Sequence, residues 1–185
     1  MRNHRLAFID TETTGFDPDT HELIEMGIVL VDQDWSGALP VFTVIEEIEY
    51  KMKPNHIETA DPISLKINKY DSGEWENALT LKQGMQLLSL KAKDSIMVAH
   101  NICFDAGFID RAFKASGVKN EMHYLRIDTI TMAFAKLHNK DKDDIDKYSL
   151  RTLCEYFEIE NKNAHTALSD AKALFELFKK LIYLK

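Results

Sequence analysis

The chain has 185 residues, with 23 Lys and Arg against 30 Asp and Glu, which gives a formal net charge of -7. Hydrophobic residues make up 45% and charged residues 29%, the balance of a folded domain rather than of a disordered or collagen-like chain. The acidic sum argues against broad, nonspecific adhesion to nucleic acid, which normally needs a basic face. It does not exclude a nucleic-acid substrate, because carboxylates at a metal site count as negative in the formal sum.

Neither a membrane anchor nor a disulfide framework is visible in the sequence. No apolar run approaches the roughly 18 to 20 residues that a membrane-spanning helix needs. The two cysteines, Cys103 and Cys154, lie far apart and lack a metal-binding spacing. We therefore expect a single domain that covers residues 1–185 and works in the reducing cytoplasm.

The first half of the chain predicts β-structure. Residues 5–10 form a short apolar run, and residues 22–32 alternate in the period of a strand with one buried face. A turn at residues 15–18 would join these two strands. Residues 41–52 are a third strand candidate, and the hairpin before it would turn near residues 35–37.

The second half predicts mostly helices. Apolar residues step at helical spacing from residue 80, from residue 104 to residue 117 and from residue 150 to residue 157, and a long final helix covers residues 167–184. The apolar run at residues 95–99 predicts a strand, and the charge-dense residues 139–147 predict an exposed, mobile loop. This order predicts an α/β domain with a mixed sheet and helices on both faces.

The first chemical signal is Asp10-Thr11-Glu12-Thr13-Thr14-Gly15, at the end of the first predicted strand. Residues two apart in a strand point to the same face, so Asp10 and Glu12 can aim their carboxylates into one site. Two such acids repel unless a cation lies between them, and hard oxygen ligands suit Mg²⁺ or Mn²⁺ rather than zinc. This motif alone leaves open the alternative of a solvated acidic strand end.

The second signal is His100-Asn101-Ile102-Cys103-Phe104-Asp105, directly after the strand candidate at residues 95–99. Asn101 can cap the following helix, which places Asp105 in the first turn, beside the strand ends. The helix dipole also favours an acid at this position, so the motif by itself leaves a purely structural role open.

The third signal is His165-Thr166-Ala167-Leu168-Ser169-Asp170, at the start of the last helix. Residues five apart in a continuous helix lie roughly 140° apart around its axis, so we expect His165 on the loop before the helix. With Thr166 as the N-cap, Asp170 lies near the first turn and both side chains can reach one centre. A lone histidine is usually structural, but one beside metal-binding carboxylates is a natural general base near neutral pH.

Taken in order, these motifs resemble the DEDDh class of 3′-to-5′ exonucleases, the family of the proofreading epsilon subunit of bacterial DNA polymerase III, RNase T and oligoribonuclease. The resemblance implies an RNase H-like α/β fold with a mixed five-stranded sheet flanked by helices. It also implies hydrolysis with two divalent metal ions, Mg²⁺ or Mn²⁺. Asp10 would contact both ions, Glu12 and Asp170 the ion on the nucleophile side, and Asp105 the other ion. His165 would take a proton from the attacking water, and the product would be a nucleoside 5′-monophosphate.

The resemblance further implies contacts with the 3′ end of a single strand. Thr13 and Thr14 correspond to positions whose backbone amides meet the terminal nucleotide, and Phe16 matches an aromatic residue that stacks on a base. A turn residue that closes over the core is the alternative for Phe16. Asn101 is a further expected substrate contact.

Substrate and partners stay open at this point. We favour single-stranded DNA, with an RNA-trimming or short-oligonucleotide exonuclease as the alternative. A protein of the same fold that binds nucleic acid or a polymerase without cleavage is a second alternative, and the presence of every expected catalytic residue argues against it. A homodimer is left open. The chain ends at Lys185, soon after the last helix, so we expect no C-terminal extension of the kind that docks an epsilon subunit to its polymerase.

Overall fold

The computed structural model describes residues 1–139, 145, 147–161 and 166–184. The strands are β1 (Leu6–Thr13), β2 (Leu23–Asp34), β3 (Val41–Lys51), β4 (Ile96–Ala99) and β5 (Arg126–Asp128). The helices are α1 (Pro62–Ile67), α2 (Ser72–Trp75), α3 (Leu81–Lys91), α4 (Ile102–Ser116), α5 (Thr129–Leu137), α6 (Leu150–Tyr156) and α7 (Ala167–Tyr183). A 3-10 turn covers Ile57–Thr59.

The five strands form a mixed sheet in the order β3-β2-β1-β4-β5. β1, β2 and β3 form an antiparallel meander, whereas β4 pairs in parallel with β1 and β5 in parallel with β4. Parallel neighbours need crossover connections, and these contain α3 before β4 and α4 before β5. The expected mixed five-stranded sheet is confirmed.

Helices cover both faces of this sheet. Ala7 and Ile9 of β1 face α3 and α4, whereas Leu6 and Phe8 face α7. α5 and α6 pack in turn against α7. Because of this double cover, residues 23–31 of β2 are all buried. The expectation that this strand buries only one face was therefore wrong.

Sequence patterns missed the helices between residues 57 and 75. α1 and α2 have only 6 and 4 residues, too few to show helical periodicity. Each follows an aspartate, Asp61 or Asp71, whose side chain accepts a hydrogen bond from the first turn. Trp75 of α2 is buried, and its indole N–H donates to the carbonyl of Ile24 at 3.0 Å. This segment therefore packs against the beginning of β2.

Two further expectations concern the loop and the membrane. Most of residues 139–147 lie outside the described residues, and Ile145 packs against the cluster of α5, α6 and α7. None of the helices that the structure describes is long and apolar enough to cross a membrane.

Candidate active site

Asp10 and Glu12 lie near the end of β1, on the face that α7 covers. They are two residues apart, so their side chains leave the strand on the same side. In the register with β2, Asp10 lies opposite Gly27, and Glu12 lies opposite Glu25. A bulge directly after Glu12 ends the regular pairing, which is a common feature beside active sites.

Gly27 lets the N-terminus of α7 approach the sheet closely. A Cβ atom at this position would lie 2.1 to 2.2 Å from the backbone of Ala167 and Leu168. Two carboxylates hold the helix at this place. Glu25 Oε1 accepts a hydrogen bond from Ala167 N at 3.1 Å, and Glu49 Oε1 accepts one from Leu168 N at 3.2 Å. Negative charge at a helix N-terminus also complements the helix dipole.

Sequence reasoning missed all three of these positioning residues. The available signal was Gly27 itself, because a glycine inside an apolar strand often marks a close backbone approach. Glu25 and Glu49 gave no local signal, since their partners lie 142 and 119 positions later in the chain.

The docked helix brings Asp170, in the first turn of α7, against the carboxylates of β1. Asp10, Glu12 and Asp170 each offer one carboxylate oxygen, and the three atoms lie within 4.8 Å of one another. We call these residues the carboxylate triad. Three hard oxygen ligands at such a separation fit a Mg²⁺ or Mn²⁺ ion, so the side chains that the structure brings together suit the implied metal.

The triad is electrostatically unfavourable without a cation. Burial, and then the charges of Asp105 and Asp170, raise the pKa of Asp10 well above its ordinary value. Burial and the charge of Asp170 raise the pKa of Glu12 from 4.5 to about 8. A divalent cation would offset this repulsion and favour the ionised carboxylates.

Asp105 reaches the site from the opposite face of the sheet, in the first turn of α4. It is 4% exposed, and its Oδ1 accepts a hydrogen bond of 2.7 Å from the Thr11 hydroxyl. Burial raises the pKa of Asp105, whereas the Thr11 hydrogen bond lowers it. Asp105 does not belong to the triad, but its charge acts on Asp10 more strongly than that of any other acid. The four predicted acids therefore meet at the end of β1.

Asn101 does not cap α4 with its side chain, and that expectation was wrong. Its backbone is left-handed, with φ 65° and ψ 57°, and its side chain makes no capping hydrogen bond. Asp128 of β5 takes this role: its Oδ1 accepts from the backbone amides of Asn101 and Ile102 at 3.0 and 3.2 Å. The capping group comes from 27 positions further along the chain, which local patterns do not reveal. A substrate contact of Asn101, which is exposed, stays a prediction.

His165 lies outside the described residues, so its role as a general base stays a prediction. Thr166 occupies the N-cap position of α7, and Asp170 lies in the first turn. Both of these positions are as the sequence predicted.

Residues 13–15, which we call the threonine turn, follow the bulge at the end of β1. Thr14 is fully buried; its amide donates to the Glu22 carbonyl and its hydroxyl accepts from the Glu22 amide, both at 2.8 Å. The Thr14 carbonyl accepts from Asp61 N at 2.7 Å, and the Thr13 carbonyl accepts from the Asn68 side chain at 2.9 Å. The Thr14 amide is thus already used inside the protein, so its expected contact with a nucleotide is not available.

Phe16 extends from the threonine turn into solvent and is 69% exposed. Its ring lies edge-on to Phe104, with 6.5 Å between the ring centroids, and Phe104 contacts Phe108 in turn. This exposure excludes the alternative in which Phe16 closes over the core. Stacking on a base stays a prediction for this residue.

The sequence of this chain matches that of a known protein family. A family model for RNase T-type proteins, described as Exonuclease, matches residues 7–178. The chain belongs to this exonuclease family. It is therefore a phosphodiester hydrolase of the DEDD type that acts on nucleic acid in the 3′-to-5′ direction, and the resemblance expected from the motifs is confirmed.

Two relatives illustrate the sequence identity and the share of each protein that the match covers. Ribonuclease T of Shewanella frigidimarina is 28% identical over 192 residues, which cover 96% of this chain and 82% of that protein. A PolC-type DNA polymerase III of Caldanaerobacter subterraneus subsp. tengcongensis is 28% identical over 176 residues, or 94% of this chain and 11% of that protein.

Solved structures confirm the RNase H-like exonuclease fold. E. coli Exonuclease I in complex with a dT13 oligonucleotide superposes with a TM-score of 0.78 and 19% identity, over 98% of this chain and 41% of that one. Exonuclease I has also been solved in a zinc-ion-bound form, and DEDD exonucleases are typically metal-dependent. The chain spans less than half of Exonuclease I, so this likeness describes the exonuclease fold alone.

Proposed function

We propose that this chain is a metal-dependent 3′–5′ exonuclease that releases nucleoside 5′-monophosphates from the 3′ end of a single strand, with DNA favoured over RNA. The carboxylate triad carries the proposal, because acids from two separate elements converge within 4.8 Å although their charges repel. Burial and neighbouring charges raise the pKa values of Asp10 and Glu12, and converging acids with such shifts are typical of functional sites that hold a cation. Residues 1–185 would act as one exonuclease domain.

The four acids divide between two proposed ion sites. The charges of Asp105, Asp170 and Glu12 all act on Asp10, which supports Asp10 as the residue that would contact both ions. Glu12 and Asp170 would complete the first ion site. Asp105 would complete the second. When bound, the cations neutralise the carboxylates and the phosphate and lower the pKa of the attacking water.

His165 is the proposed general base. It lies directly before the N-cap of α7 in the sequence and five positions before Asp170. An imidazole that titrates near neutral pH can take the proton from water as its oxygen attacks the terminal phosphorus. The bond from phosphorus to the 3′ oxygen of the preceding nucleotide breaks. The shortened strand keeps that oxygen, which takes a proton from solvent water and becomes a 3′ hydroxyl, and the released nucleotide keeps the 5′ phosphate.

The threonine turn and Phe16 form the proposed seat of the terminal nucleotide. Three hydrogen bonds fix Thr14, which makes the turn a rigid support beside the triad. The exposed Phe16 ring offers a stacking surface, and base stacking tolerates any sequence. Thr13 and Asn101 would contribute further contacts with the strand end.

DNA and RNA each have support as the substrate. Complexes of Exonuclease I with dT13 and dA16 oligonucleotides favour single-stranded DNA. Ribonuclease T of Shewanella frigidimarina, which this chain covers over 82% of its length, favours an RNA-trimming enzyme as the second candidate. A strand-cleavage assay on both polymers decides between them.

A time course on 5′-labelled single-stranded DNA, and on RNA of the same sequence, tests the proposal. We expect a ladder that shortens from the 3′ end with Mg²⁺ or Mn²⁺ and no shortening with EDTA. The faster polymer identifies the substrate. His165→Ala should lose most of the rate at neutral pH and regain part of it at high pH, where hydroxide needs no base. If metal-replete wild-type protein cleaved neither the DNA nor the RNA strand, the proposal would be overturned. A protein that binds nucleic acid without cleavage would then be the better explanation.

A further inference from the structure

Asn161 follows α6 and is half-buried beside the first turn of α7. Its side-chain nitrogen Nδ2 donates a hydrogen bond of 2.5 Å to Oδ1 of Asp170. Its side-chain oxygen Oδ1 accepts a hydrogen bond of 2.7 Å from the hydroxyl of Ser169. The amide of Asn161 thus joins a member of the carboxylate triad to its neighbour on the same helix turn.

The chemistry of the partners fixes which end of the amide faces Asp170. An ionised carboxylate only accepts hydrogen bonds, so the group that faces Asp170 is the NH₂ of Asn161. The carbonyl oxygen then faces Ser169, whose hydroxyl can donate. Both ends of the amide are therefore used.

We propose that Asn161 is a positioning residue that holds the Asp170 carboxylate in the orientation for metal binding, an inference that rests on the proposed function. Without a cation, negative charge on Asp10 and Glu12 repels the carboxylate of Asp170. A hydrogen bond from a neutral amide holds the carboxylate against this repulsion. A lysine or arginine would also hold it, but its positive charge would compete with the cation.

The geometry is compatible with coordination at the same carboxylate. Each carboxylate oxygen has two lone pairs, so a hydrogen bond at Oδ1 and metal coordination by the same carboxylate are compatible. Hydrogen bonds to ligating carboxylates orient them, and loss of such a partner typically costs about 10- to 100-fold in metal affinity or activity. Sequence patterns gave no sign of this role, since Asn161 lies outside the three motifs.

The competing explanation is that Asn161 only ties the end of the α6–α7 connection to α7. In that case its loss would lower the free energy of unfolding but would leave the metal affinity of the folded protein unchanged. Metal affinity is therefore the property to measure, in the absence of nucleic acid.

The experiment is a titration of EDTA-stripped protein with Mn²⁺, followed by calorimetry or by the electron paramagnetic resonance signal of free Mn²⁺. Asn161→Ala removes both hydrogen bonds, and Asn161→Leu removes them while keeping most of the side-chain volume. We expect both variants to bind Mn²⁺ about 10-fold or more weakly than wild type. Ser169→Ala keeps the bond to Asp170 and should lose less. Asn120→Ala, in an exposed loop beyond the C-terminal end of α4, is the control and should bind as wild type does.

A second readout separates positioning from loss of a ligand. Because Asp170 itself remains, a high Mg²⁺ concentration should restore most of the maximal cleavage rate of Asn161→Ala, whereas Asp170→Ala should stay inactive. Wild-type Mn²⁺ affinity in both Asn161 variants, with a wild-type protein that binds Mn²⁺ and cleaves, would overturn the positioning role alone. A wild-type protein that neither binds Mn²⁺ nor cleaves would overturn the proposed function, and the positioning role with it.

Discussion

The two regions that flank the end of β1 differ in how completely their polar groups are paired. In the carboxylate triad, three acids lie within 4.8 Å of one another and mutual repulsion contributes to the raised pKa values of Asp10 and Glu12. In the threonine turn, the amide, carbonyl and hydroxyl of Thr14 each have a hydrogen-bond partner in the protein. A cation bound at the triad would therefore add stability there, whereas the hydrogen bonds of the turn are already formed. We therefore expect metal binding to change the triad and to leave the turn, its rigid border, unchanged.

The largest effect is expected from Asp10→Asn, which removes one carboxylate of the triad. Cleavage should fall by at least about 10³-fold, because a metal ligand is lost. At pH 8 in EDTA the variant should nevertheless melt higher than wild type, since less charge repels, by about 2–4 °C for each kcal/mol gained. Activity assays and thermal melts measure both changes.

Asp32→Asn is the matched control for this substitution. Asp32 lies on β2 in a half-exposed ion pair with Arg5 at 2.9 Å, and surface pairs of this kind contribute little. If Asp10→Asn cleaved as fast as the control, the triad would not be the catalytic centre.

Gly27→Ala should produce the next largest effect, because it forces α7 away from the sheet. A displacement of Asp170 by about 1 Å can cost about 10²-fold in rate, and overpacking costs about 1–3 kcal/mol of the free energy of unfolding. Urea unfolding and the cleavage assay measure these losses. Gly107→Ala, where a Cβ would meet only Pro18 Cγ at 3.7 Å, should lose neither. Unchanged rate and stability in Gly27→Ala would contradict the close docking of α7.

Phe16→Ala tests whether the border of the site contributes to substrate binding. Loss of one stacked base costs about 1–3 kcal/mol, or roughly ten-fold in Kd near the lower end. The melting temperature should barely change, because Phe16 is 69% exposed. Fluorescence anisotropy with a labelled oligonucleotide, with Ca²⁺ in place of Mg²⁺, measures the Kd. Tyr124→Ala is the aromatic control, because Tyr124 lies before β5 and its side chain is 83% exposed. If the two variants bound the oligonucleotide with equal affinity, Phe16 would not be part of the substrate site.

Asn68→Ala should weaken the threonine turn without touching the triad. It leaves the Thr13 carbonyl without its side-chain donor, which costs about 1–3 kcal/mol of the free energy of unfolding. Mn²⁺ affinity should stay within about threefold of wild type. Asn55→Ala removes only an exposed contact of 3.4 Å to Glu22 and serves as the control. A large loss of Mn²⁺ affinity in Asn68→Ala would show that the two regions are not independent.

A final effect needs no substitution and appears in the pH dependence of stability. Folding raises the pKa of Glu12 from 4.5 to about 8, so the folded protein keeps a proton that the unfolded chain releases. The metal-free protein should therefore lose stability as pH rises across this interval. Thermal melts in EDTA should shift down by several degrees, and Mn²⁺ should oppose the shift because it binds the ionised carboxylates. Glu12→Gln should flatten the profile, and a melting temperature that rises with pH in EDTA would contradict the buried, repelling site.

Local sequence patterns predicted most of the longer elements. β2, β3 and the long helices α3, α4 and α7 follow from alternating or helical spacing of apolar residues, whereas β1 and β4 follow from short apolar runs. β5 has 3 residues and α2 has 4, so neither carries a period. The spacing of Asp10 and Glu12 on one strand predicted that they share a face, and the register with β2 agrees.

The rest of the site depends on partners that are distant in sequence. Gly27 signals a close backbone approach, but its partner, the backbone of Ala167, lies far along the chain, and Asp128 caps α4 from 27 positions away. The side chain of Asn161 donates a hydrogen bond to Asp170, which lies nine positions later in the sequence, beyond His165. These contacts arise from the packing of α7 and β5 onto the sheet, so spacing within one motif does not reveal them.

Metal binding at the carboxylate triad is tested most directly by a crystal structure of the protein with millimolar Mn²⁺ and a single strand whose last linkage resists hydrolysis, using the anomalous signal of manganese. We expect an anomalous peak within coordination distance of Asp10, Glu12 and Asp170, with the 3′ end of the strand beside it. No peak at the triad, or a peak only elsewhere on the molecule, would show that the triad is not the metal site.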